Sequence, residues 1–129
     1  MVSYHCCCFC GGGFGIFGHG NVTCLGEALY GARDTLPLYR GQNEQGMGFA
    51  AAGYAKAWLR QRFMFCTASA GPGTMNLLTA AGLAHANRLP MLLLCGDGFV
   101  TRLPDPVLQQ LENFGDPTLG VNDAFRPVV

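Results

Sequence analysis

Hydrophobic residues recur in two patterns along the chain. Short continuous apolar runs predict buried strands, and they occupy residues 14–18, 36–39, 62–67 and 91–95. Apolar residues spaced three or four apart predict helices from residue 22 and over residues 43–61 and 74–87. Asn21 is placed to cap the first helix. A last helix is predicted from Asp105 as its cap, with Pro106 at its first position and Gly115 at its end.

Strands and helices therefore alternate along the whole chain. This order predicts an α/β fold in which a parallel sheet carries crossover helices on both of its faces. Residues 1–12 form an atypical leader rich in cysteine and glycine, and residues 13–129 form one domain. Because no closing element follows the last predicted helix, we expect the domain to be incomplete at its C-terminal end and the chain to be part of a longer one.

The composition narrows the class of protein. Half of the 129 residues are hydrophobic and 12% are charged, which is typical of a globular segment and excludes a disordered tail. The formal net charge is zero and no basic run occurs, so neither nucleic acid nor an anionic membrane is an expected partner. No apolar run reaches the roughly 20 residues that span a bilayer. We expect a cytoplasmic protein without a membrane anchor.

The seven cysteines do not form a recognisable framework. An odd number without paired spacing argues against the disulfides of a secreted domain. Zinc sites usually draw on separated pairs of thiolates, and His5, Cys7 and Cys10 supply only half of such a set. We assign no metal ligand to this chain, and a cysteine-rich metal module stays an alternative that zinc analysis of the purified protein would test.

Unusual residues follow each predicted strand. These loops are residues 18–21, 40–44, 69–73 and 96–98, and they are rich in glycine and polar side chains. Parallel strands end at the same edge of their sheet, and ligands bind at that edge. The four loops should therefore converge on one site.

Two phosphate-binding motifs can be set aside. The glycines at 13, 15 and 18 match the dinucleotide pattern, but they overlap the first strand, and no acidic residue ends the second strand to hold a ribose. A Walker-type lysine is missing after Gly73. A nucleotide-binding fold is therefore disfavoured.

Three segments resemble the thiamine-diphosphate enzymes: RGQNEQGMGFAAAGYAKA, TASAGPGTMNLLTA and LPMLLLCGD. They occur in the order of that family, and the resemblance covers about residues 14–128. It implies the N-terminal pyrimidine-binding domain of such an enzyme. It also implies thiamine diphosphate as the cofactor, with Mg²⁺ held by a domain absent from this chain. Full-length members are homo-oligomers, at least dimers, that act on small molecules.

The resemblance also implies roles for individual residues. Glu44 would hydrogen-bond the aminopyrimidine ring of the cofactor and favour its imino tautomer. Gly71, Pro72 and Gly73 would let the backbone approach the ring. Asn76 would face the cofactor or cap backbone groups, and His19 would reach the substrate or serve only as a turn residue.

The segments FGIFGHGNV and FVTRLPDPVLQQLE resemble members that cleave a carbon–carbon bond of a cyclic diketone in myo-inositol breakdown. Acetolactate-synthase-like carboligation or decarboxylation is the nearest alternative. A further alternative is a non-catalytic α/β binding module, in which Glu44 only complements the helix dipole. Asp97 and Asn122 imitate the magnesium motif of the family, but their place after the fourth strand puts them in the wrong domain for it.

Overall fold

A computed structural model describes residues 9–98, 108–109, 111 and 113–129 of the chain. Four parallel strands form one sheet in the order β2-β1-β3-β4. The strands are β1 (Cys10–Gly15), β2 (Leu38–Arg40), β3 (Phe63–Ala68) and β4 (Leu92–Cys95). The helices are α1 (Glu27–Gly31), α2 (Glu44–Ala57), α3 (Pro72–Met75) and α4 (Leu78–Asn87). The predicted α/β class with a parallel sheet is confirmed.

The two faces of the sheet carry different helices. The connection from β1 to β2 runs toward one edge of the sheet. The connections from β2 to β3 and from β3 to β4 run toward the opposite edge. Right-handed crossovers in opposite directions place their helices on opposite faces, so α1 covers one face and α2 with α4 cover the other. Met64, Cys66 and Ala68 of β3 pack in one core with Met47 and Ala51 of α2.

The first strand begins earlier than its apolar pattern predicts. We expected it over residues 14–18, but β1 starts at Cys10 and includes part of the predicted leader. Glycine normally weakens a strand, yet here it makes room for large neighbours. A Cβ on Gly11 would collide with the Tyr54 ring of α2, and a Cβ on Gly13 would collide with the Phe65 ring of β3. The glycine run therefore belongs to the sheet.

Two predicted helices have different limits in the structure. The second helix was expected to reach residue 61, but α2 ends at Ala57 because Leu59 and Arg60 adopt positive φ angles of 52° and 67°. The third was expected to be continuous over residues 74–87, but it is divided into α3 and α4 at residues 76–77. The helix predicted over 105–115 lies largely outside the described residues.

The last described segment packs onto the domain. A short 3-10 helix over Val121–Phe125, which the apolar pattern did not indicate, contacts α3 and α4. Phe125 is buried in the same core cluster as Leu77 and Ala81. A ring buried among apolar side chains contributes about 1.5–3 kcal/mol to folding. Within the ranges that the structure describes, no helix has the length and apolar character needed to cross a bilayer.

Two glycines of α2 provide a matched test of this packing. Gly48 lies where α2 crosses α4, and a Cβ there would collide with the Cβ of Ala80. Gly53 faces open space on the same helix. We expect G48A to lower the free energy of unfolding by about 1–3 kcal/mol and G53A to raise it by about 0.5–1 kcal/mol. Urea unfolding followed by circular dichroism measures both. Equal effects of the two substitutions would contradict the close crossing of α2 and α4.

Candidate functional site

The loops that follow the four strands meet at the carboxyl edge of the sheet, as predicted. The loop after β1 contacts the loop after β3, because the backbone N–H of Gly20 donates to Ser69 Oγ at 3.3 Å. Gly96, after β4, packs so closely on both that a Cβ there would collide with the Ser69 carbonyl oxygen. The loop after β2 leads into Glu44, which contacts residues that follow β3.

Glu44 opens α2 and is half-buried at this edge. The preceding Asn43 caps the helix, since its side-chain oxygen accepts a hydrogen bond from Gly46 N at 2.7 Å. A capped start fixes the first turn, and the helix dipole stabilises a carboxylate there. The cap and the dipole therefore place a negative charge at a defined position above the sheet.

The Glu44 carboxylate lies between two groups of the segment that follows β3. Asn76 Nδ2 donates a hydrogen bond to Oε2 at 3.0 Å. Oε1 lies 3.0 Å from the position that a Cβ on Gly73 would occupy. In the part of the chain that the structure describes, Oε1 accepts no hydrogen bond. One oxygen of Glu44 is thus held, and the other is available to a ligand beside a glycine.

Residues 71–73, which follow β3 and are called the glycine turn, contain two glycines that serve different purposes. Gly71 has φ 52° and ψ −119°, a combination that L-amino acids with a Cβ rarely adopt. Pro72 follows at the first position of α3, where its missing N–H costs nothing. Gly73 keeps the space next to Glu44 Oε1 open. The turn therefore brings backbone, and no side chain, to the ligand side of the carboxylate.

His19 lies in the turn after β1 and is exposed. The turn is held by Asn21, which is 5% exposed and accepts a hydrogen bond from Gly18 N at 2.9 Å. Asn21 also donates to Thr67 Oγ1 at 2.9 Å. Asn21 does precede the helical turn over Val22–Gly26, at the predicted cap position, but its side chain forms no capping hydrogen bond there. Asn21 instead fixes the turn that presents His19.

The pair that imitates a magnesium motif does come together. Asn122 Nδ2 donates to Asp97 Oδ2 at 2.6 Å, so the amide offers a hydrogen to the carboxylate. Among the described residues, no group of three or more His, Cys, Asp or Glu side chains has the spacing to hold a metal ion. His5 and Cys7 of the cysteine-rich start lie outside the described residues.

Two thiols lie beneath this edge, with Cys66 buried and Cys95 half-buried, and both have little nucleophilic character. Burial raises the pKa of the Cys66 thiol to about 12, and the nearby Cys95 adds to the rise. Burial also raises the pKa of Cys95, although a hydrogen bond with Thr74 opposes the shift. Because the thiolate is the reactive form, both thiols stay unreactive near neutral pH.

Comparisons with known proteins agree with this geometry. The family model described as "Thiamine pyrophosphate enzyme, N-terminal TPP binding domain" matches residues 13–115. The chain belongs to this family. The description of the family names thiamine pyrophosphate, the cofactor that the sequence resemblance implied.

Individual relatives are similar over most of the chain. A protein of Listeria monocytogenes serotype 4b (strain F2365) is 54% identical over 120 residues, and one of Bacillus cereus (strain AH820) is 53% identical over 120 residues. Both are named 3D-(3,5/4)-trihydroxycyclohexane-1,2-dione hydrolase. Each match covers 93% of this chain but 19% of the relative. The chain thus spans about a fifth of the length of these relatives.

Proposed function

We propose that this chain supplies the pyrimidine-binding part of an enzyme that uses thiamine diphosphate to cleave a carbon–carbon bond of a cyclic diketone in myo-inositol catabolism. The observation that carries the proposal is the Glu44 carboxylate, with Oε2 bound by Asn76 and Oε1 beside Gly73. The names of the relatives support the substrate class.

The residues at this edge fit the aminopyrimidine ring of the cofactor. A half-buried carboxylate with an available oxygen is a suitable partner for a ring nitrogen, since the two can share a proton over a charge-assisted hydrogen bond. Gly73 leaves room for a flat ring next to that oxygen. When bound, thiamine diphosphate supplies a thiazolium carbon that attacks carbonyl groups.

Glu44 has the catalytic role in this proposal. Its carboxylate would hold a proton at the ring nitrogen of the aminopyrimidine and so would favour the imino form of that ring. The capped start of α2 fixes the backbone that carries the side chain, and the Asn76 amide holds Oε2. Pro72 begins α3 directly after Gly71, and Gly73 places no side chain beside Oε1.

His19 is proposed to act on the substrate. The Asn21 hydrogen bonds fix its turn, and the exposed imidazole stands at the same edge as Glu44 on a different loop. Histidine transfers protons near neutral pH, and a diketone cleavage needs proton transfer to the departing carbon. We propose that His19 delivers or accepts that proton.

The remaining partners belong to the longer protein. We propose that Mg²⁺ and the diphosphate are held by a second domain, as the resemblance to the thiamine-diphosphate enzymes implies. We also propose a cytoplasmic homo-oligomer that acts on a small molecule. The whole enzyme means this chain joined to the rest of its protein or to the matching remainder of the Listeria relative.

Substrate turnover tests the proposal. We expect the whole enzyme with thiamine diphosphate and Mg²⁺ to open 3D-(3,5/4)-trihydroxycyclohexane-1,2-dione and to leave pyruvate almost unchanged. We expect H19A to lower kcat for the dione about 10²–10⁴-fold, because it removes a proton-transfer group. H85A, on the exposed side of α4, is the matched control and should retain activity. Conversion of pyruvate to acetolactate in preference to the dione would indicate the carboligase alternative.

A further inference from the structure

We propose that Asn76 is a positioning residue that acts on bound thiamine diphosphate through Glu44. The inference rests on the proposed function of Glu44 and assigns Asn76 a different task from direct contact with the cofactor. The sequence alone left two tasks open for this side chain, cofactor contact and backbone capping. In the structure its amide instead donates to Glu44 Oε2 at 3.0 Å.

The contact joins two segments that are 32 residues apart in the chain. Asn76 lies in the break between α3 and α4, and its backbone N–H donates to the Pro72 carbonyl at 3.0 Å. The short segment from Gly71 to Asn76 therefore lies beside both oxygens of Glu44, with Gly73 near Oε1 and the Asn76 amide on Oε2.

The chemistry of the donor suits a positioning role. The terminal torsion of a glutamate is broad, so a carboxylate without a partner samples many orientations. One hydrogen bond to Oε2 fixes the plane of the group and directs Oε1 toward the open side. An amide donor is neutral, so it orients the carboxylate without bringing an opposing charge to it. Among the described side chains, no Lys, Arg or His forms an ion pair with Glu44 that would neutralise it.

Two substitutions of Asn76 separate positioning from packing. N76D keeps the shape of the side chain but replaces the amide donor with a carboxylate, which repels the Glu44 carboxylate. N76A removes the amide donor and most of the side-chain volume. A packing role predicts that N76A is the more harmful. The positioning role predicts the reverse. We expect N76A, which loses a hydrogen bond to a charged group, to weaken thiamine diphosphate binding and to lower kcat, each about tenfold. We expect N76D, which replaces that hydrogen bond with a repulsion, to change both quantities about 100-fold.

Isothermal titration of the apo whole enzyme with thiamine diphosphate and Mg²⁺ measures affinity independently of activity. N87D is the matched control, because it adds the same charge at the exposed end of α4, beside Arg60 and at the edge of the sheet opposite Glu44. We expect N87D to change the Kd less than threefold. Unchanged Kd and kcat in N76A, or a larger effect of N76A than of N76D, would overturn the inference.

A double-mutant cycle tests the contact itself. In the parent enzyme, N76D should weaken cofactor binding about 100-fold, because two carboxylates then face each other. In the E44Q background, the glutamine amide can donate to the carboxylate that N76D introduces. There N76D should weaken binding less than threefold. Equal penalties in both backgrounds would overturn the inference. If the penalties are equal but E44Q has lost turnover, the proposed function of Glu44 is retained and only the role of Asn76 is rejected. Full turnover by E44Q would overturn both.

Discussion

Replacing Glu44 with glutamine should lower turnover of the whole enzyme about 10²–10⁴-fold, the usual range for loss of an acid–base group. Glutamine keeps the length of the side chain and can still accept the hydrogen bond from Asn76, but it cannot exchange a proton with a ring nitrogen. We therefore expect a large fall in kcat, a small change in folding stability, and retained cofactor binding. Steady-state kinetics with the dione measures the effect.

Glu27 provides the control for this substitution. It also stands in the first turn of a helix, α1, but it is exposed on the other side of the sheet. If both glutamates served only the helix dipole, E27Q and E44Q would have similar small effects. Normal turnover by E44Q would contradict the catalytic role and favour the non-catalytic binding module.

Replacing Gly96 with alanine should destabilise the protein by about 3 kcal/mol or more and weaken cofactor binding with it. A Cβ at this position would collide with the Ser69 carbonyl oxygen and would lie 2.9 Å from the Gly20 carbonyl oxygen. Both obstacles are backbone atoms, so rotation of a side chain cannot relieve the overlap, and the loops after β1 and β3 must separate. Overpacking of this kind costs about 1–3 kcal/mol, and more where the backbone must move.

Gly31 is the control, since nothing lies within 4 Å of a Cβ at the end of α1. We expect G31A to change the free energy of unfolding by less than about 0.5 kcal/mol. Thermal unfolding and cofactor titration of both variants measure the difference. A G96A protein as stable as G31A would contradict the close meeting of the three loops.

The sheet and its ligand edge could be predicted from the sequence because both depend on local patterns. Continuous apolar runs determine the strands, and alternation with helices requires them to be parallel. Once the strands are parallel, the segments that contain Glu44 and Gly73 must lie at one edge. Their direct contact in the structure agrees with this argument.

The features that were missed depend on contacts between distant residues. Gly11 was assigned to the leader, and Gly13 was placed just before the first predicted strand. Only the Tyr54 and Phe65 rings explain glycines inside a strand at these positions. Asn21 seemed to be a helix cap, since its buried partner Thr67 follows 46 residues later. A polar residue that follows glycines at a strand end commonly forms such turns, and that signal was available in the sequence.

The hydrogen-bond partner of Asn76 also could not be predicted from the sequence alone. The break between α3 and α4 interrupts a stretch whose alanines and leucines favour a continuous helix. The Asn76 amide donates to Glu44, which lies 32 residues earlier in the chain. No local pattern around Asn76 indicates a partner that distant.

The central claim is that Glu44 activates the bound cofactor, and hydrogen exchange at the thiazolium carbon measures this without any substrate. The whole enzyme is loaded with thiamine diphosphate and diluted into D₂O, and the loss of the thiazolium C2 proton is followed by NMR after acid quench. We predict that exchange is at least about 100-fold faster in the parent enzyme than in E44Q, with E27Q matching the parent. Equal exchange rates in the parent enzyme and E44Q would contradict the claim.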